Sequence, residues 1–203
     1  MMQPTGGLDM NSLIQRLRRM AMLDASVFDE VKGDASATIP ALLVVVVSTF
    51  LMGVGGWLWL LFQDFGYEES DFFLKSAVIG SVLAIVLWGV GVFVTYVMLT
   101  QIFRATADVN QLVRVMGFAG APLALGVLMF IPGLDYGLGV AAVGLYFGLS
   151  VLAVQSATDA SPGKALAAAA AGFAVWAVVL SLLVSGDGST DVWAPGIFIF
   201  APR

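Results

Sequence analysis

Three groups of polar residues in this chain are of types that could do chemistry. Glu68, Glu69 and Asp71 lie close together and offer carboxylate oxygens of the kind that bind divalent cations. A solvated acidic loop explains the same pattern and is the interpretation we prefer. Residues 159–164 (DASPGK) contain part of a phosphate-binding loop. They lack its second glycine spacing, so we interpret them as a turn and a helix start.

The third group is formed by Arg16, Arg18 and Arg19. They lie in residues 10–23, where apolar residues recur at three- and four-residue steps, which predicts an amphipathic helix. One interpretation places this helix in the headgroup layer of a membrane, with its arginines in contact with anionic lipid. The other packs the helix onto the ends of membrane segments. The pattern leaves both interpretations open.

Histidine and cysteine are absent from the sequence. Their absence excludes disulfides, imidazole and thiolate metal sites, and catalysis by a Cys or His nucleophile. The net charge is −5, which is unfavourable for binding nucleic acid. We therefore predict a protein that is not an enzyme, has no catalytic, metal or cofactor site, and binds no nucleic acid.

Five long apolar segments must position any site that the chain has. They cover residues 39–63, 76–103, 115–134, 136–158 and 165–186. Each reaches the roughly 20 residues that cross a bilayer core as a helix, and the chain is 60% apolar. The predicted fold class is therefore all-α, a polytopic membrane helix bundle of five transmembrane helices with an amphipathic interfacial helix at the amino terminus.

The basic residues are divided unevenly between the two sides of this predicted topology. Of the nine, only Lys75 and Arg203 lie on the side opposite the amino terminus. By the positive-inside rule the amino terminus should be cytoplasmic and the carboxyl terminus outside. Within the predicted bounds no span contains Asp, Glu, Lys, Arg or His, which weighs against proton-coupled transport and intramembrane hydrolysis.

The third, fourth and fifth spans are rich in residues that break or tighten helix packing. Gly117, Gly120 and Pro122 lie in the third span, where proline removes a backbone hydrogen bond and predicts a kink or break. Gly144 and Gly148 form a GxxxG pair in the fourth span, and alanines open the fifth. Because small residues let helix backbones approach closely, this enrichment predicts a compact bundle.

The sequence predicts three parts. Residues 1–37 form an amino-terminal cytoplasmic segment, 38–186 the membrane domain, and 187–203 an external tail. The tail is too short to span as a helix and too apolar to remain in water. We expect it to lie on the outer membrane face, or to dock on the bundle or on a partner through Trp193, Phe198 and Phe200.

Two stretches resemble a known family. Residues 28–38 (FDEVKGDASAT) lead directly into the first span, and residues 114–122 (RVMGFAGAP) place a base before a Gly-aromatic pair and a proline. With residues 131–133 (IPG), the pattern resembles the bacterial branch of the Yip (Ypt/Rab-interacting protein) family, over residues 28–185. The resemblance implies five spans, a cytoplasmic amino terminus and location in a prokaryotic plasma membrane.

For eukaryotic members the resemblance implies roles in vesicle trafficking, membrane shaping and binding of lipidated small GTPases. Those members have a longer cytoplasmic amino-terminal region, and this chain offers only residues 1–38 there. That difference weighs against small-GTPase binding.

The sequence favours a non-catalytic Yip-like scaffold, a membrane-organising factor or an accessory subunit of a larger membrane complex. Its partners would be the lipid bilayer and other membrane proteins or further copies of itself. The alternative is a channel or transporter for a small neutral or lipidic solute, with the irregular third span lining the path.

Overall fold

The computed structural model describes residues 9–62 and 73–184, and every structural statement below concerns these residues. This part of the chain is helical and contains no β-strand beyond an isolated bridge between Ala107 and Thr158. The α-helices are Met10–Ala21 (α1), Ser26–Gly33 (α2), Thr38–Phe62 (α3), Ser81–Val97 (α4), Val109–Ala119 (α5), Asp135–Ala157 (α6) and Pro162–Val184 (α7). Short 3-10 helices cover Ala35–Ala37 and Ala121–Phe130, and π-helical segments cover Phe73–Gly80 and Met98–Ile102.

Five of these helical stretches are long and apolar enough to cross a membrane, which confirms the predicted fold class. The first to fifth spans are Ala35–Phe62, Phe73–Ile102, Val109–Phe130, Asp135–Ala157 and Pro162–Leu182. Orientation relative to the cytoplasm stays a prediction. We call the side that carries α1 and α2 the amino-terminal side.

The spans were predicted to contain no charged residue, and this prediction is wrong because the helices begin earlier than the apolar segments do. The third span starts at Val109, since the Asp108 carboxylate accepts a hydrogen bond from the Gln111 backbone N–H at 2.9 Å and caps the helix. Arg114 is therefore inside this helix, and Asp135 is the first residue of the next. Hydropathy locates the apolar part of a span, whereas caps and turns decide where its helix begins.

The third span is central to the bundle. Its α-helical part packs between the first and fourth spans, and its 3-10 part continues along the same two neighbours. The second span packs mainly against the fifth, and the fifth also contacts the fourth. The irregular span is thus enclosed by regular helices, which can satisfy its side-chain and backbone contacts where lipid could not.

The helices α1 and α2 close the amino-terminal side of the bundle. Val27, Phe28 and Val31 of α2 are all 1% exposed or less and pack toward the third and fourth spans. Lys32 also donates from Nζ to the backbone carbonyl of Ser156, at the end of the fourth span, at 2.7 Å. The described part of the amino-terminal segment is therefore docked on the membrane domain through α2, and α1 packs on α2.

Candidate functional site

The predicted arginine cluster is divided by the fold. The guanidinium of Arg16 donates to Glu30 at 2.8 Å and to Asp34 at 2.7 Å, and only 11% of its side chain is exposed. Arg19 donates to Asp24 at 2.9 Å and to Glu30 at 2.7 Å. Both residues therefore hold α1 onto α2 and onto the turn before the first span. These contacts are made within the amino-terminal segment, so the two interpretations of this helix stay predictions.

These ion pairs act on the pKa values of the acids. The guanidinium hydrogen bond of Arg16 lowers the pKa of the Glu30 carboxyl below its ordinary value. The pKa of Asp24 falls to about 2, first because the Ser26 hydroxyl donates to it and then because Arg19 does. All these acids are consequently charged at neutral pH, and the network keeps its ion pairs there.

Arg18 differs from its two neighbours because it lies on the exposed side of α1. Together with Arg18, the exposed residues Met10, Ile14 and Met22 recur at four-residue steps along that side, with Ile14 58% exposed. Basic and apolar residues share a face in helices that lie in a headgroup layer. Contact between these arginines and lipid headgroups stays a prediction, and the fold leaves Arg18 the most accessible of the three for it.

The break residues of the third span lie where its helix type changes. The α-helix ends at Ala119, and from Ala121 the chain continues as a 3-10 helix with Pro122 in its first turn. Gly117 lies against the first span, where a Cβ atom would come within 2.8 Å of the Ala41 side chain. Gly120 is buried but has more room, with the Gly117 carbonyl nearest at 3.1 Å.

The closest approach between the first and third spans involves glycines that the sequence did not single out. A Cβ atom at Gly55 would clash with the carbonyl oxygen of Gly126 and lie 2.8 Å from the Cα atom of Val127. From the other side, a Cβ at Gly126 would be 2.7 Å from Met52. The cluster of Gly53, Gly55 and Gly56 in the sequence could have indicated a close helix contact. It does not indicate which of the other spans these glycines contact.

A second backbone contact joins the second and fifth spans. A Cβ at Gly172 would clash with the carbonyl oxygen of Gly91 and with the hydroxyl of Thr95. The Thr95 hydroxyl donates to the Gly91 carbonyl at 2.9 Å and reaches the Ala168 carbonyl across the helix interface at 3.3 Å. Small residues here permit both close packing and an interhelical hydrogen bond.

The GxxxG pair of the fourth span faces the outside of the bundle. A Cβ added at Gly144 or Gly148 would meet nothing within 4 Å, and the same holds for Gly137 two turns earlier. Ala141 is exposed between them. We call Gly137, Ala141, Gly144 and Gly148 the outward glycine face. The structure therefore does not use these two glycines for packing within the described bundle.

Arg114 is not among the predicted site residues. Its predicted position was just before the third span, but it lies inside the helix and is 8% exposed. Its Nε donates to the Asn110 carbonyl, one turn earlier in its own helix, at 3.1 Å. The signal that could have identified it is Asp108, a good N-cap residue seven residues before the predicted start of the span.

Two predicted sites lie outside the described residues. These are the external docking residues Trp193, Phe198 and Phe200, and the acidic loop around Glu68 and Glu69. Within residues 9–62 and 73–184, no three acids come together in a way that could hold a metal ion.

The comparisons with known proteins agree with the architecture. A family model described as the Yip1 domain matches residues 22–186, a range that contains α2 and all five spans. No curated protein and no solved structure gives a significant match. Because the family model covers most of the chain, the chain belongs to the Yip1 domain family of integral membrane proteins.

Proposed function

We propose that this Yip-family protein is a non-catalytic scaffold or accessory subunit of the membrane. It would work by packing its outer helix surface against a helix of another membrane protein or of a second copy. The observation that carries the proposal is the outward glycine face, which lies on a spanning helix and meets no other part of the described chain.

The physical chemistry of membrane helices supports this role. Lipid tails are as apolar as leucine, so spanning helices gain little from burying apolar surface and associate through close backbone packing. Glycine in a helix is less favourable than alanine by about 1 kcal/mol in aqueous hosts. An outward row of glycines is therefore a cost to the isolated helix, and a partner helix would offset it by close approach.

The alternative, a path for a small neutral or lipidic solute, draws its support from the 3-10 helix of the third span. That segment is well filled, however. Leu123 is 2% exposed, Met129 is fully buried, and Gly126 is pressed against Met52 of the first span. Close contact along the irregular segment favours packing over conduction.

Single-cysteine cross-linking tests the proposal, because the chain has no cysteine of its own. A cysteine replaces Val140, on the outward side of the fourth span and 52% exposed. The matched control is a cysteine at Val86, which is 57% exposed on the second span. In native membranes, oxidation or a short bifunctional reagent should give a defined cross-linked product from Val140→Cys only.

Equal cross-linking from both positions, or none from Val140→Cys, would contradict the proposed surface. The alternative function is tested separately in liposomes. Solute flux through the wild-type protein that is lost on substitution of Pro122 would favour the transporter. The proposed role predicts no flux through the wild-type protein or through the Pro122 variant.

A further inference from the structure

Arg114 carries a positive charge at a buried position inside a spanning helix. It is 8% exposed and lies in the α-helical part of the third span, Val109–Ala119. Ionisable residues inside spans are costly and commonly mark functional positions. A guanidinium has five N–H donors, and among the described residues only its Nε finds an acceptor, the Asn110 carbonyl.

Every acid on the amino-terminal side already has another partner. Asp24, Glu30 and Asp34 accept from Arg16 or Arg19, and Asp29 accepts from Lys32. The remaining three accept backbone N–H bonds: Asp9 from Asn11, Asp108 from Gln111, and Asp159 from Thr106. Residues 1–8 contain no acid. No ion pair in the described part of the chain neutralises Arg114.

Arg114 has no counter-ion in the described part of the chain, and its Nη atoms are not fully enclosed, so an anion from outside the chain can reach them and would stabilise this position. Guanidinium pairs best with planar or tetrahedral oxyanions, and it can donate to two oxygens of a phosphate at once. We propose that Arg114 binds the phosphate group of a phospholipid headgroup in the leaflet on the amino-terminal side.

The depth of Arg114 in the membrane fits a lipid source. At about 1.5 Å per residue for the α-helical part and about 2 Å for the 3-10 part, the third span is about 37 Å long. The hydrocarbon core is about 30 Å thick, so the first turns of this span extend into the headgroup layer. Arg114, in the second turn, is then at the boundary where phosphates lie.

The first measurement uses the purified full chain in a neutral detergent. We compare the melting temperature after adding phosphatidylglycerol, a phosphate-free galactosyl diacylglycerol with the same acyl chains, or inorganic phosphate. Phosphatidylglycerol should raise the melting temperature by about 5 °C at a saturating concentration, and the galactolipid should raise it much less. Equal effects of the two lipids would overturn the proposal. A full effect of inorganic phosphate alone would overturn the lipid source.

Variants separate a phosphate contact from a structural role. Arg114→Gln and Arg114→Met should lose the difference between phosphatidylglycerol and galactolipid. The matched control Arg104→Gln removes an exposed arginine that has no predicted lipid contact from the same side of the bundle, and it should keep that difference. If both Arg114 variants retained the full difference, the proposal would be wrong.

If neither Arg114 variant folds, native mass spectrometry of the wild-type protein tests whether the site binds phosphatidylglycerol in preference to the galactolipid. Retention of about one phosphatidylglycerol per chain, under conditions that strip the galactolipid, supports the site. Equal loss of both lipids contradicts it.

Discussion

The glycines of this protein occupy two kinds of surface. Gly55 and Gly126 meet where the first and third spans cross, and Gly91 and Gly172 meet where the second and fifth spans cross. Those of the outward glycine face meet nothing in the described chain. The contrast separates two roles of one residue type. Inward glycines hold this bundle together, whereas outward glycines contribute no packing to it, and we propose that they contact another helix.

The largest loss of stability should come from a substitution at an inward glycine, where the first and third spans cross. In Gly55→Ala the new methyl group would clash with the backbone of Gly126 and Val127, which cannot rotate away as a side chain could. We expect a loss of about 3 kcal/mol or more in stability, measured by unfolding in mixed detergent micelles.

Gly89→Ala is the matched control for that experiment. Gly89 is also a spanning-helix glycine, but a Cβ there would meet nothing within 4 Å. Its stability should be unchanged or raised by up to about 1 kcal/mol, because alanine favours the helix. Similar losses in the two variants would remove the distinction between inward and outward positions.

A smaller loss is expected at the crossing of the second and fifth spans. Gly172→Ala would place a methyl group against the Thr95 hydroxyl and the Gly91 carbonyl, and a slight separation of the helices would relieve part of the clash. We expect a loss of about 2 kcal/mol.

The double variant Thr95→Ala/Gly172→Ala tests whether the clash is local. Removal of the hydroxyl frees part of the space, so the double variant should lose less stability than the sum of the two single variants. If the stability losses of the two single variants simply added in the double variant, the methyl group of Gly172→Ala would not be in contact with the Thr95 hydroxyl.

The smallest effect on stability should come from the outward glycine face. Gly144→Ala and Gly148→Ala add methyl groups to open space, and each should leave the stability of the purified chain unchanged or raise it by up to about 1 kcal/mol. A loss as large as that of Gly172→Ala would show that this face already packs against part of its own chain.

The five spans could be predicted because their signal is local. A run of some 20 apolar residues specifies a spanning helix whatever its neighbours are. The helix ends were less predictable, because they depend on single capping residues. Asp108 starts the third helix before Val115, and this one residue places Arg114 within the span.

The contacts between elements could not be predicted from one sequence. The GxxxG spacing at Gly144 and Gly148 identifies a smooth helix face, but the spacing is the same whether that face points inward or outward. The partner of Arg16 is likewise set by the fold, because Glu30 is 14 residues away and reaches it only when α1 folds back on α2. Local sequence spacing predicts which residues share a helix face, but the tertiary structure determines which residues that face contacts.

The association state of the intact protein in its native membrane tests the central claim most directly. The variant Gly144→Leu/Gly148→Leu fills the outward glycine face with bulky side chains. Its control, Val86→Leu/Gly89→Leu, places two leucines at exposed positions of the second span. Both are solubilised in mild detergent and compared with wild type by native gel and size-exclusion chromatography.

If the outward glycine face is a helix-docking surface, the first variant should fold and reach the membrane but migrate as a smaller species than wild type and the control. Cross-linking from Val140→Cys should disappear in its background. A complex of unchanged size in the Gly144→Leu/Gly148→Leu variant, with cross-linking intact, would contradict the account.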